Sequence, residues 1–149
     1  MALDCFVKFA KIEGESKVRG HEGWIECQSF AVGVDSRGGH TTELEEFVFT
    51  HKIDKASPKL AQACCSDENL GRVVIHLLEE GKLYMEYTLE PGARSKGADA
   101  HVLRVASVRP SGDGTAEGRP SEEVKIRYGK LKWRYVEGNI EGSYDSSLT

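Results

Sequence analysis

Glu122-Glu123-Val124-Lys125-Ile126-Arg127-Tyr128-Gly129-Lys130-Leu131-Lys132-Trp133-Arg134-Tyr135 is the stretch whose reading decides the fold. Apolar side chains stand at 124, 126 and 128, alternate with charge, and resume at 131, 133 and 135. Period-two alternation of this kind marks a strand with one buried face. The parity flips between Tyr128 and Leu131, so a regular strand would expose half of these residues. One extra residue at Gly129-Lys130, a β-bulge, restores a single buried face, and glycine suits such a position. Tyr128, Leu131, Trp133 and Tyr135 are then all expected inward.

The same period extends towards the N-terminus. Leu3, Cys5, Val7 and Phe9 alternate with Asp4 and Lys8, leaving Phe6 on the polar side. Trp24 to Val34 carries apolar residues on both parities, Phe47, Phe49 and Ile53 make a further strand, and Val73 to Leu78 is a continuous apolar run. Leu83, Met85, Tyr87 and Leu89 alternate with Tyr84, Glu86, Thr88 and Glu90, and Glu79-Glu80-Gly81-Lys82 reads as the hairpin between these two runs. A strand is also expected from His101 to Arg109. One helix is predicted, with Ser57 as N-cap, Pro58 at its first position and Leu60, Ala61 and Cys64 on one face, ending near Cys65 or Ser66. Gly14 to Gly23, Asp35 to Glu43, Pro91 to Ala98 and Pro110 to Pro120 read as loops. About seven or eight strands and one short helix point to a mainly β fold, a small barrel or sandwich.

Composition agrees with one globular domain. The chain has 149 residues, 39% hydrophobic and 30% charged, with a formal net charge of −4. A chain of this size buries about 68–70% of the surface its unfolded form exposes, enough for a core without disulfides or metal. The domain is expected over residues 1–136, with 137–149 a polar, Gly/Ser-rich, mobile tail. No run approaches the ~18 apolar residues of a transmembrane helix, and the N-terminal residues lack the basic and apolar blocks of an export signal. Neither membrane insertion nor a cleaved signal is expected. The four cysteines, 5, 27, 64 and 65, are then read as reduced, mostly buried thiols.

Chemistry-bearing motifs are sparse. There is no C-x-x-C or H-E-x-x-H spacing, no G-x-S-x-G elbow and no Walker A loop. No catalytic, cofactor or metal residue is assigned. The competing enzymatic reading is a small cysteine-dependent hydrolase using Cys27 or Cys64 with His51 or His76, and a third is a monomeric binding module. The net negative charge argues against nucleic acid as a partner. The local basic stripe, Lys125, Arg127, Lys130, Lys132 and Arg134, is read as a solvated face balanced by Glu86 and Glu90 on neighbouring strands.

Several blocks together resemble the Hcp (haemolysin-coregulated protein) family, the tube subunit of bacterial type VI secretion. They are Met1-Ala2-Leu3-Asp4 with Phe6-Val7-Lys8; Gly14-Glu15-Ser16-Lys17 and His21; Phe49-Thr50, Ile53-Asp54-Lys55 and Ser57-Pro58; Ala63-Cys64 with Ser66; and the closing Val124, Ile126, Tyr128-Gly129, Leu131, Trp133 and Tyr135. The resemblance implies a small antiparallel β-barrel with one short flanking α-helix and a structural, non-enzymatic role without cofactors. It further implies a homo-hexameric ring, rings stacked into a tube, partnership with the contractile sheath, spike and small effector proteins carried in the lumen, and assembly in the bacterial cytoplasm before secretion. The Asp35–Glu43 segment is shorter than the Gly-rich loop of many relatives. Within it Asp35, Arg37, His40 and Glu43 are the expected ring-stacking residues. Phe6, Ile25 and Val74, apolar residues on less hydrophobic parities, are the expected subunit contacts.

Overall fold

The structure, a computed structural model, describes residues 4–38, 41–93, 102–114 and 118–148. In chain order its strands are β1 (Asp4–Phe9), β2 (Ile25–Cys27), β3 (Ser29–Ala31), β4 (Val34–Gly38), β5 (Thr41–Leu44), β6 (Phe47–Lys52), β7 (Val73–Glu79), β8 (Lys82–Glu90), β9 (Arg104–Ser111), β10 (Ser121–Arg127), β11 (Lys130–Tyr135) and β12 (Ile140–Asp145). One helix, α1 (Ser57–Ser66), lies between β6 and β7.

These strands form a six-stranded sheet of order β12-β11-β8-β7-β1-β2, a four-stranded sheet of order β3-β6-β10-β9 and a separate β4-β5 ribbon. All the pairings are antiparallel. The two large sheets form a sandwich and do not close into the expected barrel, since no strand of one hydrogen-bonds as a ladder to a strand of the other among the described residues. The chain passes between them at two tight corners, between β2 and β3 and between β10 and β11, and by longer connections between β6 and β7, through α1, and between β8 and β9.

The second corner replaces the predicted bulge. β10 belongs to the four-stranded sheet and β11 to the six-stranded one, and Tyr128-Gly129 is the bend between them. The Gly129 N–H bonds the Glu90 carbonyl at 3.0 Å, attaching the bend to β8, and the Tyr128 hydroxyl donates to the Glu45 carbonyl at 2.6 Å. Tyr128 and Leu131 are both buried as expected. Trp133 is half-buried and Tyr135 is exposed, so the inward face expected of all four residues fades along β11.

The inner faces supply the core. Cys5, Val7 and Phe9, Val73, Ile75 and Leu77, and Leu89 and Leu131 meet Phe47, Phe49, Val105, Val124 and Ile126 from the opposing sheet. Each such side chain contributes about 1.5–3 kcal/mol by leaving water. α1 presents Ser57, Leu60 and Ala63 to the core, the helical repeat falling on Ala63 while Ala61 faces out and Cys64 is half-buried. Its N-cap is Ala56, without a side-chain cap. Ser57 serves a tighter turn instead: its hydroxyl accepts the Asp54 N–H at 3.1 Å while Asp54 Oδ1 accepts the Ala56 N–H at 2.9 Å. The β7–β8 hairpin has the expected two-residue turn, with Glu80 and Gly81 both at positive φ, 49° and 79°; that pair of dihedrals matches strand twist.

Residues expected as a polar tail supply the edge strand β12, which pairs with β11 from Tyr135↔Ile140 to Lys130↔Asp145. Gly138 and Asn139, at positive φ, turn the chain back.

Candidate functional site

The Asp35–Glu43 segment is a two-stranded ribbon where a loop was expected. Val34 faces Leu44, Asp35 faces Glu43 and Ser36 faces Thr42, with a register shift at Arg37 before Gly38. Every residue of β4 is exposed. Arg37 lies 3.7 Å from Asp35 on its own strand and 3.7 Å from Glu43 across the ribbon, so charge supplements backbone pairing. His40 falls outside the described residues. At the ribbon's base Leu44 packs on the core, Val34 is exposed, and the 3-10 turn Ser146–Leu148 lies against β5.

β12 is the terminal strand of the six-stranded sheet among the described residues. Its apolar end is the cross-strand pair Tyr135 and Ile140, exposed by 44% and 65%. Its other end is fixed by Asp145, whose carboxylate accepts from the Ser147 N–H, the Ser147 hydroxyl and the Ala93 N–H. Burial raises the Asp145 pKa, but these bonds and Lys130 outweigh it and hold the carboxyl below its ordinary value. The basic stripe is divided between the sheets: on β11 Lys132 pairs with Glu90 at 3.2 Å and Arg134 with Glu86 at 3.4 Å, the expected carboxylates, whereas Arg127 on β10 pairs with Glu46 at 3.0 Å.

The outer face of the six-stranded sheet carries a second cluster, Phe6, Trp24 and Leu78, flanked by Val74 and Leu83. His21 stacks on Phe6 with ring centroids 4.7 Å apart, and the segment from Gly14 to Trp24 folds back over this face. Backbone bonds hold the fold-back: Gly14 N–H to Gly23 O, Ser16 N–H to Trp24 O and Gly23 N–H to Ser16 O. A Cβ at Gly14 would lie 2.5 Å from the Trp24 carbonyl oxygen, so only glycine fits. Glu15 accepts from the Lys55 N–H at 3.1 Å and pairs with Arg119 at 3.2 Å. The Gly14-to-Lys17 and Ile53-to-Pro58 blocks therefore meet in space. Beside them lies a cavity of about 390 Å³ lined among others by Ser16, Cys27, Lys52, Asp54 and Arg119.

Of the expected subunit contacts, Ile25 lies in the main core opposite Val7, and Phe6 lies in the second cluster, which the protein's own Gly14–Trp24 segment covers. Val74 remains half-buried at that cluster's margin.

The histidines and cysteines do not converge as the enzymatic reading requires. His51, fully buried, lies 2.9 Å from Glu122 and 3.7 Å from Asp54. Burial lowers its pKa, but the Asp54 and Glu122 carboxylates together outweigh that and raise it above the ordinary imidazole value. His76 bridges His21 at 2.9 Å and Glu86 at 2.7 Å on the other sheet. Burial and then His76 lower the His21 pKa, against a smaller opposing effect of Glu22. Cys27 donates to the Ser29 carbonyl, and Cys64 and Cys65 sit at the C-terminal end of α1. Among the described residues no cysteine is hydrogen-bonded to a histidine.

Residues 6–135 match the family described as "Type VI secretion system effector, Hcp". The chain belongs to the Hcp family. Hcp is a secreted tube protein of the type VI secretion system, structural and non-enzymatic. Among solved structures this Hcp chain is similar to Hcp1 from Salmonella typhimurium, with a TM-score of 0.82 and 29% identity, covering 99% of this chain and 98% of that one. It is also similar to a type VI secretion system effector from Yersinia pestis, with a TM-score of 0.80 and 26% identity over 95% and 99% of the two chains. Protein hcp1 of Pseudomonas aeruginosa is 24% identical over 97% of this chain and 90% of its own length. In this Hcp the feature that sequence reading passed over is β12, although Gly138-Asn139 between Tyr135 and Ile140 is a hairpin signal. The His51–Glu122 pair was also missed, although His51 continues the inward parity of Phe47 and Phe49.

Proposed function

We propose that this Hcp closes into a homo-hexameric ring and that the rings stack into a tube whose lumen carries small effector proteins. The observation that carries the reading is the edge strand β12 with its exposed Tyr135–Ile140 pair. An unpaired edge beside apolar surface is a liability in a free monomer and is protected when each subunit presents it to the next around a closed ring. The β4–β5 ribbon supplies the contact between rings. Among the described residues Arg37 pairs with exposed carboxylates of its own ribbon, and such pairs are worth about 0–1 kcal/mol. Exchange for a carboxylate on a facing ring therefore costs little, and repetition around the ring multiplies the gain. Assembly takes place in the bacterial cytoplasm, against the sheath and spike of the contractile apparatus, and export follows.

Native mass spectrometry tests ring closure. The expected dominant species has six times the 16.5 kDa mass of one chain; a monomer at micromolar concentration refutes the ring. Arg37→Glu is expected to keep that species while abolishing tube growth and secretion. Collapse of the variant to monomers would instead assign the ribbon to the lateral interface, and normal secretion would remove it from stacking.

A further inference from the structure

Cys5 and Cys27 face each other directly across the β1–β2 pair. Both side chains point into the sandwich, 2% and 7% exposed. Residues directly opposed in an antiparallel pair have Cα atoms about 4.5 or 5.5 Å apart. Both values fall within the roughly 4.4–6.8 Å that a disulfide requires. The two thiols also interact: hydrogen bonding to Cys27, then burial, then the Cys27 charge push the Cys5 pKa far up. Access is uneven. Cys27 lines the corner cavity, which opens to solvent, and it ends a three-residue strand at the edge of its sheet. Cys5 sits one strand further in.

We propose that Cys5 and Cys27 are a dithiol that closes to a disulfide when the protein meets a small-molecule disulfide outside the reducing interior of the cell. Cys27, as its thiolate, attacks one sulfur of the small disulfide, expels one small thiolate and carries the other half as a mixed disulfide. The Cys5 sulfur then attacks Cys27 Sγ and expels the second small thiolate. The protons of both protein thiols end on the two released thiols; the protein is oxidised by two electrons and the small disulfide is reduced by two. Closure is slow because Cys5 is held protonated and Cys27, though beside the cavity, is largely covered until β2 frays; it accumulates in an oxidising medium because small thiols in a reducing cytosol reverse it. The bond ties β1 to the edge strand at the corner where the chain leaves one sheet for the other, and encloses the fold-back from Gly14 to Trp24. Where closure happens rests on the secreted role of the tube; whether it happens does not.

The test uses the full chain carrying Cys64→Ala and Cys65→Ala, so that Cys5 and Cys27 are the remaining thiols. It is incubated folded with oxidised glutathione, quenched in acid, denatured, alkylated and weighed intact. The expected product has lost two hydrogens, carries neither glutathione nor alkyl group, and unfolds at higher urea than its reduced form. Adding Cys5→Ser should arrest the reaction with one glutathione on Cys27. A parallel incubation at the foot of the urea transition speeds the fraying of β2. Two alkyl groups recovered even there would overturn the proposal. So would a bond that forms only in fully unfolded chain, or a stable glutathione adduct on Cys27 while Cys5 is present.

Discussion

Replacing Glu122 tests the most buried electrostatic contact of the sandwich. His51 and Glu122 oppose each other on β6 and β10, are 0% and 3% exposed, and lie 2.9 Å apart. Removing one member of a buried pair leaves the other uncompensated in a poorly polarisable surrounding, at about 3–5 kcal/mol. For a domain of this length each kcal/mol is worth about 2–4 °C in melting temperature, so Glu122→Ala should lower it by roughly 10 °C. The double replacement His51→Leu/Glu122→Leu removes both charges together and should cost less than the sum of the single changes.

The pH dependence gives an independent readout. The folded His51 pKa is raised, so the imidazolium binds its proton more tightly folded than unfolded. Its contribution is fully present below the unfolded value, about 6.5, and is lost as pH rises through the higher folded value. Glu122→Gln keeps shape and hydrogen bonding but removes one of the two carboxylates. The stability difference between wild type and Glu122→Gln should therefore be larger near pH ~5.5 than near pH ~8.5, measured by urea unfolding at one fixed protein concentration because assembly contributes to apparent stability. An equal difference at both pH values would mean that His51 is neutral in the folded protein. An unchanged midpoint in Glu122→Ala would mean that the contact contributes no stability.

Two further substitutions probe the corners. Gly14→Ala places a methyl group 2.5 Å from the Trp24 carbonyl oxygen; the fold-back should lift from Phe6 and Trp24, seen as a red shift of tryptophan fluorescence, and an unshifted spectrum with unchanged stability would show that this segment yields freely. Tyr128→Phe removes the 2.6 Å bond to Glu45 and should cost about 0.5–1.5 kcal/mol in urea unfolding; no loss would mean that the Glu45 carbonyl is satisfied without it.

The strands were legible because each places one face on a single interior, so that Phe47, Phe49, Val124 and Ile126 record burial directly in their spacing. The corner at Tyr128-Gly129 was not. When a chain turns from one layer of a sandwich to the other, the inward side reverses, and the parity of its apolar residues reverses with it. A bulge within one strand leaves the same trace. What separates the two is pairing: β10 lies between β6 and β9, and β11 between β8 and β12, partners distant in sequence whose choice no local pattern encodes. Phe6 is hard to read for a related reason. An apolar residue on the polar parity signals only that something covers it, and the cover here is the protein's own Gly14–Trp24 segment, whose backbone bonds leave no hydrophobic periodicity. The β4–β5 ribbon is harder still to read, since Asp35, Arg37 and Glu43 are as polar as any loop and become a ribbon through backbone pairing. For the corner and for Phe6 the stabilising partner lies outside the segment, so what the sequence alone exposes there is the need for a partner, and only the three-dimensional arrangement tells whether the chain meets that need itself or leaves it for a neighbour.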